Sequence, residues 1–143
     1  MHRIKKIKYN SPEYKQVLQL RNKILRKPLG LNLFDEDLSQ DKDQLIYGVF
    51  SRERLVACLQ LVPLENNIYK LRQMAVDTTF QRKGLGRKLI DFVERDLSKK
   101  QTKEIVLHAR KSAVGFYKKL GYKIVSEEFI EVGIPHFKMH KYL

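Results

Sequence analysis

Tryptophan is absent from this 143-residue chain, and cysteine occurs once. A lone thiol excludes an internal disulfide and suits a reducing compartment. It sits at Cys58 in the apolar run LVACLQLV, where a buried, inert thiol is expected. Long apolar runs are missing as well. No window approaches the ~18 residues a membrane span needs, and the basic start MHRIKKIKYN leads into no hydrophobic stretch of the signal-peptide kind. Both absences point to a cytoplasmic protein with no membrane partner. Four prolines and seven glycines are too few and too dispersed to build a linker, so residues 1–143 read as one domain. Carboxylates are scarce: 16 Asp and Glu against 29 Lys and Arg, a net charge of +13. Such a field attracts nucleic acid, anionic lipid or a phosphorylated small molecule, and does not choose among them.

What is present has a clear order. RIKKIKY (3–9) alternates with period two and reads as a strand. In NSPEY, Ser11 can cap a helix and Pro12 can occupy its first position. Val17, Leu20, Ile24 and Leu25 follow at helical spacing until Pro28 and Gly30. The acidic stretch FDEDLSQDKD (34–43) suggests a second, weaker helix. QLIYGVF (44–50), RLVACLQLVP (54–63) and IYKLRQMAV (68–76) form a three-strand meander. Leu85, Leu89, Phe92, Val93 and Leu97 make one helical stripe. KEIVLHA (103–109) is a strand and AVGFYKKL a short helix that Ser112 could cap. YKIVSEE (122–128) and HFKMHKYL (136–143) close the chain around a turn at Pro135. The order β-α-α-β-β-β-α-β-α-β-β predicts an α/β (α+β) fold, with a mixed, mostly antiparallel sheet of about seven strands and helices on both faces.

DTTFQRKGLG lies between a predicted strand and a predicted helix. A helix N-terminus offers unpaired N–H groups and the positive end of the dipole, which makes it an anion site. Gly84 and Gly86 let backbone approach a phosphate, and Arg82, Lys83, Arg87 and Lys88 add charge. The loop is not a Walker sequence, and Leu89 stands where a dinucleotide fingerprint needs its third glycine.

Gln81-x-x-Gly84-x-Gly86 after MAV resembles the acyl-CoA pyrophosphate loop of the GNAT N-acetyltransferase superfamily. SAVGFYKKLGY (112–122) is similar to that superfamily's second signature, and the tail EEFIEVGIPHFKMHKYL resembles its ElaA/YjcF-like branch. The resemblance spans nearly the whole chain. It implies direct transfer of acetyl from acetyl-CoA to an amine of a small molecule or protein. It also implies pyrophosphate held by backbone from Gln81 through Arg82, Lys83, Gly84, Leu85 and Gly86 to Arg87. Pantetheine would pair along Met74, Ala75 and Val76. Tyr117 matches the tyrosine that protonates the departing sulfur, a role suited to a phenol that stays protonated near neutrality. Ser112 is a cap or a coenzyme A contact.

Where some members place a glutamate on the central strand, this chain reads YKLRQMAV, with Lys70, Arg72 and Gln73. The base must come from elsewhere, and the candidates are His136, Glu131, Glu128 and His108, with His136 and Glu131 carried in EVGIPHF. His136 and His140 are four apart, but Pro135 opposes a helix and no third ligand is near, so no metal is expected. Asp35, Glu36, Asp37, Asp41 and Asp43 are a solvated segment or a lip that draws cationic amines, with Arg21, Arg26 and Leu29 bordering the same side. Two other readings stay open: a silent acyl-CoA-binding sensor on this fold, and a nucleic-acid binder, for which no motif is present. The assembly is a monomer or a homodimer.

Overall fold

Ser11 opens the first helix as its hydroxyl allows: Oγ accepts from the Tyr14 N–H at 3.2 Å, and Pro12 supplies a first residue that needs no acceptor. In the computed structural model, which describes residues 2–143, this helix, α1 (Pro12–Arg21), follows strand β1 (His2–Ile7). Its path continues as a wider π turn over Asn22–Arg26, tightens at Lys27–Leu29 and ends on Gly30 at φ +72°. The meander follows as β2 (Leu45–Ser51), β3 (Arg54–Pro63) and β4 (Ile68–Val76). Then come α2 (Leu85–Ser98), β5 (Glu104–Arg110), α3 (Val114–Lys119), β6 (Lys123–Ile124), β7 (Phe129–Glu131) and β8 (Ile134–Tyr142).

The sheet runs β1-β2-β3-β4-β5-β8-β6, with β7 also on β8. Among the described residues, β4 and β5 are the one parallel pair. Successive residues of β2 serve opposite faces. Tyr47 and Val49 pack with Leu85, Leu89, Ile90, Val93 and Leu97 of α2, while Ile46 and Phe50 pack with Tyr14, Val17 and Leu20 of α1. Helices therefore cover both faces, as the element order predicts. The five buried side chains of α2 stabilise its docking by on the order of 10 kcal/mol before the entropy of ordering is counted.

Three sequence expectations need correction. No helix spans 34–43; two 3₁₀ turns, Leu33–Asp35 and Ser39–Asp43, stand there, because Asn32 and Asp37 bond the N–H groups two residues on and compete with helical bonds. Among the described residues the sheet has eight strands, in keeping with the expected mixed, mostly antiparallel sheet of about seven, and 122–143 yields three of them. The last turn is at Val132 and Gly133, both with positive φ, and Pro135 lies inside β8 opposite Ile130. The β5 ladder ends at Arg110 and His136, so the N–H that Pro135 lacks removes no bond there. Ser112 does not cap α3; it sits within a 3₁₀ turn, Lys111–Ala113, and the cap position is Ala113 with no side-chain bond.

Candidate active site

The parallel ladder between β4 and β5 is short. It joins Ile68–Leu71 to Glu104–Leu107 and then stops, so the two strands part. On the other side of β4, Arg72 faces Gln60 and Ala75 faces Cys58, which leaves Gln73 and Met74 both opposite Leu59. That extra residue is a bulge, and Gln73 absorbs it with φ +56°. A cavity of about 660 Å³ occupies the split. Leu71 to Met74, Leu107 to Arg110, Tyr117 and the β7–β8 hairpin line it, together with the segment after α1.

Tyr117 points into this space from α3. Its phenol is 8 % exposed and donates to Met74 Sδ at 3.5 Å. Burial pushes the hydroxyl up to about 12, so it enters the cavity as a proton donor. Phe116, beside it, is exposed.

Glu131 stands between two imidazoles. His108 Nδ1 lies 3.0 Å from Oε1, and His136 Nε2 lies 3.6 Å from Oε2. Burial alone would raise the carboxyl. The His108 hydrogen bond and the charges of His108, His136 and Lys70 outweigh it and hold Glu131 below the ordinary carboxylate range. An ionised carboxylate only accepts, so His108 Nδ1 carries the hydrogen between them. His136 Nδ1 lies 2.7 Å from the Ile134 carbonyl, which also only accepts. With Nδ1 donating to that carbonyl, an unprotonated His136 has its lone pair on Nε2, the nitrogen that faces Glu131. Phe129 stacks on His136 at 5.9 Å and meets His108 edge-on at 5.1 Å, so one ring orients both imidazoles. Among the described residues no group of three or more His, Cys, Asp or Glu is arranged to hold a metal ion.

The glycine loop begins where β4 ends. Gln81 Nε2 donates to the Val76 carbonyl at 2.9 Å, and Gly84 caps α2 at φ +79° with open space around it. The first helical bond runs from the Lys88 N–H to the Gly84 carbonyl, so the N–H groups of Leu85, Gly86 and Arg87 have no acceptor within the helix. A Cβ on Gly86 would come within 2.9 Å of Met74 Cε. The loop thus opens next to Met74 and Tyr117, and its exposed Arg82, Lys83 and Arg87 fit a polyphosphate.

Other expected residues are placed differently. Ala75 is buried and Val76 half-buried on the unpaired part of β4, while Ser112 is exposed. Glu128 pairs with Lys111 at 3.0 Å and does not line the cavity. Of the acidic segment only Glu36 lines it, bound to Arg26 at 2.6 Å; Leu29 lies beside them. Arg21 and Asp41 do not border the cavity. They are buried together at 2.7 Å, with Tyr14 and Gln60 completing the cluster. Cys58 is buried and its thiol is pushed up to about 12 by desolvation, an unreactive state. The bulge at Gln73 had no signal in the sequence, because any residue pair can fill a bulge.

Residues 13–143 match the model of the Acetyltransferase (GNAT) domain. The chain belongs to the GNAT acetyltransferase family. YjcF of Bacillus subtilis, an uncharacterized N-acetyltransferase, is 26 % identical over 135 residues, covering 92 % of this chain and 94 % of that protein. Two further Bacillus subtilis relatives match at 39 % identity over 72 residues, 50 % of this chain and 49 % of theirs, so the chain spans about half the length of those curated relatives. The fold superposes on Escherichia coli ElaA with a TM-score of 0.85 at 19 % identity, over 99 % of both chains. It also superposes on an aminoglycoside 6'-N-acetyltransferase complexed with coenzyme A, with a TM-score of 0.77 at 17 % identity over 98 % and 96 %. Among the described residues no helix is long and apolar enough to cross a membrane.

Proposed function

We propose that residues 1–143 form one acetyltransferase domain, which moves an acetyl group from acetyl-CoA directly to a primary amine. The observation that carries this is the split between β4 and β5, with Tyr117 inside it and the glycine loop of α2 opening at its rim. Backbone N–H groups from Arg82 to Arg87 hold the pyrophosphate, and the unpaired edge at Met74, Ala75 and Val76 receives the pantetheine amides as an added strand would. His136 Nε2 takes the proton of the attacking ammonium, and ionised Glu131 stabilises the imidazolium that results. The amine nitrogen then bonds to the carbonyl carbon, the C–S bond breaks, the Tyr117 hydroxyl delivers its proton to sulfur, and the proton the nitrogen must still lose passes to the Tyr117 phenolate and restores the phenol. The products are an N-acetyl amine and free coenzyme A. A lone buried thiol suits a cytoplasmic setting for this chemistry.

Calorimetry with acetyl-CoA tests the cofactor half. Binding is expected, weaker in high salt because Arg82, Lys83 and Arg87 surround a polyanion. Gly84→Val, strained at φ +79°, is expected to lose affinity while staying folded. Wild-type affinity in that folded variant removes the loop from the site. Free-thiol release with a panel of primary amines tests the transfer half, and binding without release from any amine would leave a sensor in place of an enzyme.

A further inference from the structure

The charge lining the cavity is lopsided. Arg26, Lys70, Arg72 and Arg110 face two carboxylates, Glu36 and Glu131. Both carboxylates are already engaged, Glu36 by Arg26 at 2.6 Å and Glu131 by His108 at 3.0 Å. Among the described residues, Lys70, Arg72 and Arg110 form no ion pair with any carboxylate. Lys70 and Arg72 stand two apart on β4, before the bulge, and so project to the same side of the strand. The glycine loop opens beyond the bulge, beside Met74. Phosphates held there leave Lys70 and Arg72 free on the other side of the bulge.

Those two cations also crowd each other. Burial first, then the charge of Arg72 and to a lesser degree that of Lys138, pull the Lys70 ammonium below the ordinary lysine range, although Glu131 pulls the other way. An incoming anion relieves this, and a second cation makes it worse. The remaining wall is apolar: Leu29 and Leu31 from the segment after α1, and Val132 from the β7–β8 hairpin. Leu31 and Val132 are 48 % and 62 % exposed, so they have apolar surface left to cover.

Resting on the acetyl-transfer reading above, we propose that the acceptor is a small primary amine bearing a carboxylate and an apolar side group. An amino acid with an apolar side chain has that chemistry. Its carboxylate sits on Lys70 and Arg72, where a guanidinium can take both oxygens, and its side chain lies against Leu29, Leu31 and Val132. Its amine is left to face His136. Polyamines and other multiply charged cations are repelled by the same surface.

The test compares phenylalanine, phenylalanine amide and spermidine by free-thiol release, with each variant's fold checked by thermal melting. Phenylalanine is expected to exceed its amide at least tenfold in kcat/KM, with spermidine slowest. Arg72→Gln, at an exposed position, is expected to lower the phenylalanine value roughly 10- to 100-fold and to abolish most of its preference over the amide. Thiol release that favours spermidine or the amide overturns the proposal and leaves acetyl transfer standing. Where no amine releases thiol, calorimetry of N-acetylphenylalanine and its amide on coenzyme A-saturated protein decides. Preference for the carboxylate form, lost in Arg72→Gln, keeps the anion subsite while acetyl transfer falls. Equal binding, or none, overturns both.

Discussion

Asp41 and Glu131 are each a carboxylate gripped by several side chains, and they have opposite surroundings. Asp41 is 5 % exposed and takes bonds from Tyr14, Arg21 and Gln60 at 2.6, 2.7 and 3.2 Å. Both of its oxygens are used, and the cluster joins α1, the 3₁₀ turn at Ser39–Asp43 and β3. Glu131 keeps 44 % of its side chain exposed, and its two imidazole neighbours face a cavity. A sealed cluster whose carboxylate has both oxygens bonded fixes the relative position of elements. An open one with a lone pair to spare, as on His136, can move a proton.

The comparison breaks most visibly at Asp41. Asp41→Ala leaves the Arg21 guanidinium buried without its partner, expected to cost about 3–5 kcal/mol and roughly 10 °C or more in thermal midpoint. The double variant Arg21→Met, Asp41→Leu is expected to recover much of that loss, since apolar side chains of similar volume replace the whole pair. A melting point unchanged in Asp41→Ala would mean the sealed cluster holds nothing together.

Tyr117→Phe probes the open side without disturbing packing. Only the hydroxyl is lost, and its one contact is a weak one to sulfur. Single-turnover rates are expected to fall 10²-fold or more, about 3 kcal/mol of barrier, with acetyl-CoA affinity and melting nearly unchanged. An unchanged single-turnover rate would return Tyr117 to the core.

Glu131→Gln is expected to slow the same rate by roughly tenfold, with the acid limb of the rate profile displaced and melting shifted by less than ~1 kcal/mol. A large drop in stability with no change in rate would make Glu131 another Asp41.

Asp77 lies between the two cases, with a side chain 4 % exposed but paired to the exposed Lys23 and Arg54 at 3.1 and 2.6 Å. Burial raises its carboxyl, and the two hydrogen bonds outweigh that and depress it. A depressed carboxyl stabilises the fold above its ordinary value near 3.8 and loses that contribution as pH falls through the folded value. Urea midpoints at pH 7 and pH 3 are expected to differ less in Asp77→Asn than in the wild type. An equal difference would deny Asp77 any part in acid sensitivity.

Most of the fold was legible because its cues are local. The Ser11-Pro12 start, the Leu85-to-Leu97 stripe and the period-two strands each depend on neighbours within one or two turns. The stretch 34–43 misled because its Asp and Asn residues bond backbone nearby, which helical periodicity does not reveal. The Gly84–Gly86 loop and Tyr117 could be found from motifs, and in the structure Gly86 and Tyr117 both lie against Met74, which lines the cavity. Arg21 and Asp41 could not be assigned, since an ion pair joining residues 20 apart depends on tertiary packing. His108, Glu131 and His136 were separate candidates in sequence. They meet only because Arg110 on β5 registers with His136 on β8, and Phe129 on β7 registers with it from the other side.

The parting of β4 from β5 also has a signature in hydrogen exchange. Past Leu71, β4 keeps a ladder with β3 on one side only, so alternate amides over Arg72–Val76 have no strand to bond on the other. They should exchange with deuterated solvent much faster than those of Ile68–Leu71, although the same strand carries both. An acyl-thioester arm lying along that edge would supply the missing acceptors, and protection appearing at alternate residues would trace the path of the bound arm amide by amide.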